Sequence, residues 1–273
     1  MKPVYAHEFS SRLIAVAAVA VLALSGGPVR AAAAAAPAVL TPDQIHKLLE
    51  DGEGVLKQGN PELAIKDYFE PVNQSFMHET AKAGANDEIY SSHGASETAA
   101  YTSKIAKQNE GAKTPTQLVI VDGTWTDALV MKARALILLQ RVPQARAALD
   151  MATTISPAYP TSWLVLASTY DTEKNWDKAL ATYKTAENFA GAVDDKAQQA
   201  EVLTAALRGQ AAALTELGRL DEAAALYKRC LRVNKDDTAA TEGLAHIAAL
   251  GGPPVPAPAP AAPNPNSPPP KPH

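Results

Sequence analysis

The chain of 273 residues contains a single cysteine, Cys230, and aromatic residues make up only 5% of it. One thiol cannot form an intramolecular disulfide or a metal site built from several thiolates. Scarce aromatic residues together with abundant alanine disfavour a strand-rich sandwich and favour closely packed helices. The composition therefore predicts an all-α protein. Cys230 stands at a small-residue position of its predicted helix, so we expect its thiol to pack against a neighbouring helix rather than to react.

The sequence also lacks an excess of positive charge. Its formal net charge is -4 and its isoelectric point is near 5.9, whereas nucleic-acid-binding domains usually carry a concentrated basic face. We therefore expect no nucleic acid among the partners. A glycine-rich phosphate loop, a nucleophile elbow and an HExxH helix are missing as well. This favours a protein without enzymatic activity and without a cofactor.

The N-terminal end has the sequence pattern of a targeting segment rather than that of a folded domain. Lys2 and Arg12 precede an apolar run of twelve residues, Leu13 to Leu24, and small residues follow it. Such a run is too short to cross about 30 Å of hydrocarbon as a stable helix, so the layout is typical of a secretory signal peptide. We predict a signal peptide over 1–31, an alanine-rich linker over 32–40, and a periplasmic or secreted protein without membrane insertion once the signal is removed.

The C-terminal end, residues 251–273, is rich in proline. It lacks the apolar side chains that would offset the entropy lost on ordering, and its prolines favour the extended polyproline II conformation. We expect a disordered tail that acts either as a stiff spacer or as a ligand for a proline-reading groove.

One short pattern recurs between these ends. In LGRLDEAAALYKRC, Leu217 to Cys230, an alanine is followed four residues later by a tyrosine and three residues further on by a small residue. The same spacing occurs in WDKALATYKTA, from Trp176, and, with leucine in place of tyrosine, in VPQARAALDMA, from Val142. A poorer copy, NPELAIKDYFEP, has Pro71 at the small position. An amphipathic segment precedes each copy, which indicates a repeated pair of helices.

The copies are regularly spaced. Ala179 follows the equivalent Ala145 after 34 residues, and Ala223 follows Ala179 after 44 residues, one period plus ten. A helix–turn–helix unit of this period resembles the tetratricopeptide repeat (TPR) family. The resemblance is most specific in the central copy, whose signature residues are Trp163, Leu166, Ala167, Tyr170, Ala179 and Tyr183, with Pro157 ending the copy before it.

The resemblance implies a right-handed α-solenoid, in which antiparallel hairpins stack because one hairpin alone cannot bury both of its apolar faces. Trp163, Tyr170 and Tyr183 are expected to fill the space between successive hairpins. Lys174 replaces the family's turn glycine, which predicts a looser turn. The expected repeat domain, 41–250, consists of units 45–78, 126–159, 160–193 and 204–237, an insertion over 79–125, and a capping helix over 238–250.

Short sequence patterns predict where individual helices, strands and turns begin within this domain. Thr41 and Gln44 have the spacing of a capping box, and Asp195 and Gln198 repeat it at a lengthened first helix of the last unit. In the insertion, SETAAYTSKIAKQ predicts a helix, and QLVIVDG, from Gln117, predicts a short buried strand. The residues from Gly84 to Asn86 predict a turn, and those from Ser91 to His93 a polar loop. The insertion is either a specificity element or a diverged hairpin that fills a gap.

In the TPR family, the first helices of successive hairpins line a concave groove that holds a segment of another protein. The resemblance assigns this groove to Val130, Arg134, Leu164, Ser168, Asp171, Arg208, Ala212 and Thr215, and we expect Ile137 and Leu138 to pack in the core. Arg134 and Arg208 are the strongest candidates for contact with a partner, since a guanidinium group can donate two parallel hydrogen bonds to a carboxylate. The Lys and Asn residues with which one subset of the family clamps a chaperone's terminal carboxylate are absent.

The sequence thus predicts a non-catalytic scaffold of the bacterial cell envelope that binds another protein or peptide segment. One alternative is a metal-binding protein or metal-dependent enzyme that uses residues 78–93. Their potential ligands are His78, Glu79, Asp87, Glu88 and His93, whose spacing matches no zinc pattern, so we assign no metal site. A second alternative is a cytosolic protein that resembles secretion chaperones with TPR units. The sequence leaves the oligomeric state open.

Overall fold

The computed structural model describes residues 39–253. The predicted signal peptide, nearly all of the predicted linker and most of the proline-rich tail lie outside these residues. The described part of the chain forms ten helices and two short strands, so the fold is an all-α solenoid of antiparallel hairpins with one small β-containing insertion. None of the helices in this part combines the length and the apolar character of a membrane span.

The first hairpin begins with α1 (Pro42–Lys57), and the predicted capping box is present at its start. The Thr41 hydroxyl accepts a hydrogen bond from the Gln44 N–H at 3.3 Å, and the Gln44 side chain accepts one from the Thr41 N–H at 2.9 Å. The second helix, α2, is α-helical at Pro61–Ala64, π-helical at Ile65–Phe69 and α-helical again at Glu70–Thr80. Because proline has no N–H and collides with the preceding turn, the wider π turn accommodates Pro71.

The insertion is a β–α–β unit. β1 (Asp87–Ser92), α3 (Ala95–Asn109) and β2 (Gln117–Asp122) follow one another, and the strands pair in parallel with Asp87 opposite Gln117. The predicted helix, the strand at 117–122 and the turn near Gly84 are confirmed. Two expectations were wrong: Ser91 and Ser92 belong to a strand rather than a polar loop, and β2 is only partly buried.

Three further hairpins and a final helix complete the array. The hairpins consist of α4 (Thr124–Leu138) with α5 (Val142–Ile155), α6 (Pro160–Thr172) with α7 (Trp176–Phe189), and α8 (Lys196–Glu216) with α9 (Leu220–Val233). A short 3-10 turn, Ala190–Ala192, precedes α8, whose start is capped by the Asp195 side chain as predicted. Helix α10 (Thr238–Ala249) buries Leu244 and Ile247 against α8 and α9, which closes the end of the apolar core.

Two tyrosines interlock successive hairpins. Tyr183 of α7 lies against Gly209 of α8, and Tyr227 of α9 lies against Gly243 of α10. A Cβ atom at either glycine would collide with the tyrosine ring. The expected wedge role of Tyr183 is confirmed, since its side chain is buried in this contact. Trp163 is only partly buried, although it packs against the largest apolar cluster and donates its indole N–H to the Pro157 carbonyl at 2.9 Å.

The hairpin turns share one backbone geometry. Gly59, Gln140, Lys174 and Gly218 all have positive φ, at 81°, 57°, 56° and 74°. At Lys174 and at Gly218, the turn is closed by the same two backbone hydrogen bonds, which are 2.8 to 3.0 Å long. The expectation of a looser turn at Lys174 was therefore wrong, because the lysine adopts the left-handed conformation that glycine adopts elsewhere.

Leu138 corrects a second expectation about packing. Its side chain is 63% exposed at the last position of α4, whereas its neighbour Ile137 packs partly against the largest core cluster as expected. The remaining core is formed by residues such as Leu129, Leu149 and Leu207, all nearly or fully buried. The hairpins are thus held together by conventional apolar packing along their facing helices.

Candidate functional site: a groove bordered by a charged cluster

A groove with a volume of about 710 Å³ runs across the first helices of three successive hairpins, α4, α6 and α8. Its apolar lining includes Val130, Met131, Leu164 and Val202. Its charged lining consists of Asp127, Arg134, Glu201 and Arg208. Such a mixed wall suits a peptide segment that carries both apolar and charged side chains.

The eight residues assigned to the groove from the sequence divide into two sets. Val130, Arg134, Leu164 and Arg208 line the cavity, whereas Ser168, Asp171, Ala212 and Thr215 lie further along α6 and α8 and do not. The first turns of α8, including Gln198 and Glu201, supply one wall instead. These turns correspond to the ten residues by which the last repeat exceeds the regular period, so that excess was the available signal.

Three of the residues outside the cavity are satisfied within their own hairpins. The Tyr183 hydroxyl donates to Asp171 at 2.5 Å, and burial raises the pKa of this carboxyl. The Ser168 hydroxyl donates to the Val165 carbonyl at 2.8 Å, and the Thr215 hydroxyl donates to the Ala211 carbonyl at 2.9 Å. These contacts explain the polar residues at these positions without a partner.

The two groove arginines differ in what they already bind. Arg208 Nη1 lies 3.0 and 3.1 Å from the two carboxylate oxygens of Asp237, whose side chain is 1% exposed. Asp237 also accepts the Ala240 N–H and thereby caps α10. Arg208 therefore neutralises a buried carboxylate while it also lines the groove, and its contact with a partner stays a prediction. Arg134 is exposed and forms no ion pair with any residue of the described chain, so it is the cation that the groove offers.

One end of the groove is bordered by a charged cluster that we call the His93 cluster: His93, Glu97, Asp127 and Tyr159. The His93 ring stacks on the Tyr159 ring, with 3.7 Å between their centroids and 16° between their planes. His93 Nδ1 lies 3.3 Å from Glu97, and Nε2 lies 3.1 Å from Asp127. Tyr159 donates its hydroxyl to Asp127 at 3.1 Å. Asp127 and Tyr159 also line the groove, so the cluster joins the insertion to it.

The charge state of His93 follows from these partners. Burial alone would lower the pKa of the imidazole, but the hydrogen bonds and charges of Asp127 and Glu97 outweigh it and raise the pKa to about 9. His93 is therefore an imidazolium at neutral pH, and both of its nitrogens donate. Glu97, whose side chain is 2% exposed, further accepts a hydrogen bond from the Tyr101 hydroxyl at 3.3 Å. The Ser156 hydroxyl also lies 3.3 Å from Glu97, but it donates to the Ser91 carbonyl at 2.9 Å.

A second polar anchor holds the insertion at the start of α3. Asp194, between α7 and α8, accepts the Ala95 N–H at 2.8 Å and also accepts the hydroxyl of Ser96. It thereby caps the start of α3, and the hydrogen bond from the Ser96 hydroxyl lowers the pKa of its carboxyl. The insertion therefore contacts the α4–α5 hairpin through Asp127 and Ser156 and the connection between α7 and α8 through Asp194. Sequence patterns did not reveal these contacts because the partners lie far apart in the chain.

The residues considered as metal ligands from the sequence do not form one site, because they bind different partners in the structure. His93 is engaged by Glu97 and Asp127, neither of which belongs to the set considered from the sequence. Glu88 accepts hydrogen bonds from Tyr90 and Gln108, both at 2.7 Å, while Asp87 accepts the Gly84 N–H at 2.6 Å. Among residues 39–253, no three side chains of His, Cys, Asp or Glu are grouped to hold a metal.

Cys230 lies fully buried on α9 at the small-residue position of its repeat. Burial raises the pKa of its thiol to about 11, so the thiol is protonated at neutral pH. Its sulfur lies 3.8 Å from the Thr204 carbonyl on the facing helix. These contacts agree with the packing role expected from the sequence.

Comparison with known proteins supports the repeat. Residues 206–240, which span the second half of α8 and all of α9, match the family model described as tetratricopeptide repeat. The last hairpin thus matches a TPR unit. No curated protein matches the sequence.

Several solved structures are similar. The first TPR domain of Spaghetti (RPAP3), bound to the HSP90 peptide SRMEEVD, is 22% identical, with a TM-score of 0.42, and the match covers 48% of this chain and 98% of that one. The first TPR domain of human RPAP3 is 21% identical, with a TM-score of 0.40 and coverage of 45% and 90%. A double mutant of MamA RS-1 is 13% identical, with a TM-score of 0.42 and coverage of 78% and 97%. At these identities the likeness concerns the fold alone.

Proposed function

We propose that this protein is a non-catalytic scaffold of the bacterial cell envelope that binds a segment of another protein in the groove across α4, α6 and α8. The observation that carries the proposal is the exposed Arg134, which forms no ion pair within residues 39–253 and lies beside the apolar residues Val130 and Leu164. An arginine in this setting can form two parallel hydrogen bonds with a carboxylate, while the apolar lining accepts a neighbouring side chain. The expected partner segment is therefore acidic and partly apolar.

The envelope location rests on the N-terminal sequence. Lys2 and Arg12, the apolar run from Leu13 to Leu24 and the small residues after it support export. Intact-mass analysis of the protein purified from its native source tests this part. Export predicts a mature N-terminus near Ala31 to Ala33, and an unprocessed N-terminus would contradict it.

Charge reversal at Arg134 tests the groove. Arg134→Glu removes the cation and should release a partner that the wild-type protein captures from envelope extract. Lys184→Glu on α7 is a matched control, since Lys184 is exposed, lines no part of the groove and undergoes the same change of charge. Arg208 is unsuitable for this test, because its replacement by Glu would place a second carboxylate beside the buried Asp237.

The two variants separate specific from general electrostatic binding. The proposal predicts that Lys184→Glu retains the partner and Arg134→Glu loses it, while the circular dichroism spectra of both match the wild type. If both variants keep the same partners as the wild type, the groove is not the binding site. If both lose them equally, binding depends on overall charge rather than on Arg134.

A further inference from the structure

The groove is a channel with α6 as its floor and α4 and α8 as its walls, since α6 contacts both of the other helices and all three line it. Packed helices lie about 8–10 Å apart, so the axes of α4 and α8 are at most about 20 Å apart. A helix with its side chains is about 10–12 Å across, which leaves less than about 10 Å between the walls. An extended segment fits this width, and a further helix does not.

The wall formed by α4 carries charges of opposite sign at its two ends. Asp127, Val130, Met131 and Arg134 all line the groove, and their spacing of three and four residues places them on one face of the helix. Asp127 and Arg134 are two helical turns apart, which is about 10.5 Å along the axis. The wall therefore presents an acid, two apolar residues and a base in that order.

The acidic end of this wall carries an unbalanced negative charge. In the His93 cluster, one imidazolium faces two carboxylates, Glu97 and Asp127, which leaves a net charge of -1. The Glu97 side chain is 2% exposed, whereas that of Asp127 is 29% exposed and lines the groove. His93 and Tyr159 both donate to Oδ1 of Asp127, so Oδ2 accepts no hydrogen bond from the described part of the chain. The excess charge is therefore accessible at Asp127.

Glu201 on α8 adds a second carboxylate at the same end. It is exposed, lines the groove and forms no ion pair within residues 39–253. The offsets of 34 and 44 residues between repeats make Ala205 the equivalent of Asp127, and Glu201 lies one turn before Ala205. The groove is therefore acidic where the His93 cluster borders it and basic two turns further along, at Arg134.

Building on the groove function proposed above, we propose that the partner segment lies along α4 in the polyproline II conformation, with a basic and an acidic side chain three positions apart. In this conformation, residues i and i+3 lie on the same side and about 9.3 Å apart, close to the separation of Asp127 and Arg134. Same-face residues of a β-strand are about 6.6 or 13 Å apart, which matches less well. The basic side chain contacts Asp127 and Glu201, and the acidic one pairs with Arg134.

The proline-rich end of this chain, residues 251–273, does not meet these requirements. It contains one lysine but no aspartate or glutamate, so it offers no carboxylate side chain to Arg134. The expected occupant is therefore a segment of a different protein that carries both charges.

Selection of random peptides displayed on phage, against the immobilised full chain, tests the spacing of the charges. We expect the selected peptides to share a basic and an acidic residue three positions apart, enriched about fivefold or more over spacings of two and four. A synthetic peptide with the sequence of residues 251–273 should not displace them. Selected peptides without a preferred spacing, or displacement by residues 251–273, would overturn the proposal.

Fluorescence anisotropy with one selected peptide tests its orientation. Glu201→Lys should weaken binding about fivefold or more, and this loss should shrink when the basic residue of the peptide is replaced by alanine. Arg134→Glu should weaken binding about tenfold or more, and this loss should depend on the acidic residue instead. Glu216→Lys is the matched control for Glu201→Lys and should leave the affinity unchanged, since Glu216 is exposed on the same helix outside the groove.

These measurements separate the bipolar segment from the groove function itself. If the selected peptides lose affinity with Arg134→Glu but respond equally to Glu201→Lys and Glu216→Lys, the groove stands and the bipolar segment is wrong. If the wild type and Arg134→Glu select the same peptides, or neither selects any, both proposals fail.

Discussion

The stacked hairpins and the β–α–β insertion are held in place by different interactions. Between hairpins, the contacts are apolar and close, as where Tyr183 covers Gly209 and Tyr227 covers Gly243. Between the insertion and the hairpins, apolar contacts such as those of Val121 and Ile105 are joined by polar and charged ones, through the His93 cluster and Asp194. One chain thus combines stacked hairpins that pack through apolar residues with an attached element whose anchors include ionisable groups.

The largest expected effect lies in the hairpins. Leu207 of α8 is fully buried, and Leu207→Ala should lower the free energy of unfolding by about 2–5 kcal/mol at every pH between about 6 and 9. Chemical denaturation at several pH values measures this. Leu138→Ala is the matched control, because a side chain that is 63% exposed should cost less than about 0.5 kcal/mol. A loss that varied strongly with pH would contradict the comparison.

Breaking the His93 cluster should instead act locally. Glu97→Gln keeps the shape of the side chain but leaves the His93 imidazolium with one carboxylate fewer, at a cost of about 2–4 kcal/mol. Hydrogen exchange should accelerate in α3 and β1 while α8 and α9 keep their protection. Equal acceleration throughout the chain would show that the insertion and the hairpins unfold as one unit.

The pH dependence of the insertion follows from the raised pKa of His93. The contribution of this group to stability is complete below the ordinary pKa of 6.5 and is lost as the pH rises through about 9. Between pH 7 and pH 9 the loss amounts to about 2 kcal/mol. Amide hydrogen exchange in α3, corrected for the intrinsic effect of pH on the exchange rate, should measure this loss of stability. His93→Phe should abolish the pH dependence, and a wild-type insertion that gained protection toward pH 9 would contradict the sign.

The smallest effect concerns the hairpin turn at Lys174. Its φ of 56° lies in the left-handed region that glycine adopts without a Cβ clash. Lys174→Gly should therefore raise the midpoint of thermal unfolding slightly, by the equivalent of about 0.5–1 kcal/mol. Lys178→Gly, within α7, should lower it by about 1 kcal/mol. If the two glycines had the same effect, turn geometry at Lys174 would not be the cause.

The same contrast explains what the sequence could predict. The positions of the hairpins were predictable because small and aromatic residues recur at a fixed spacing, and a helix requires only neighbours along the chain. Helix α3 and β2 also carried local signals. β1 was missed because a parallel strand is defined by a distant partner, and its sequence DEIYSS has no strong apolar pattern.

The groove was predictable in part. Val130, Arg134 and Leu164 followed from the period of the repeat, whereas the pairing of Arg208 with Asp237 joins residues that no repeat pattern links. The His93 cluster combines residues separated by up to 66 positions, from His93 to Tyr159, and charged residues alone gave no reason to group them. Long-range polar contacts are therefore the feature of this molecule that the sequence alone could not predict.

Site-specific photo-cross-linking in living cells tests the central claim most directly, that the groove holds a partner. A photoreactive residue in place of Glu201, which is exposed and lines the groove, is compared with one in place of Lys184 on α7. We expect a discrete protein adduct from position 201 that disappears when Arg134→Glu is added, and no such adduct from position 184. Adducts of the same mass from both positions, or an adduct from position 201 that Arg134→Glu leaves unchanged, would contradict the account.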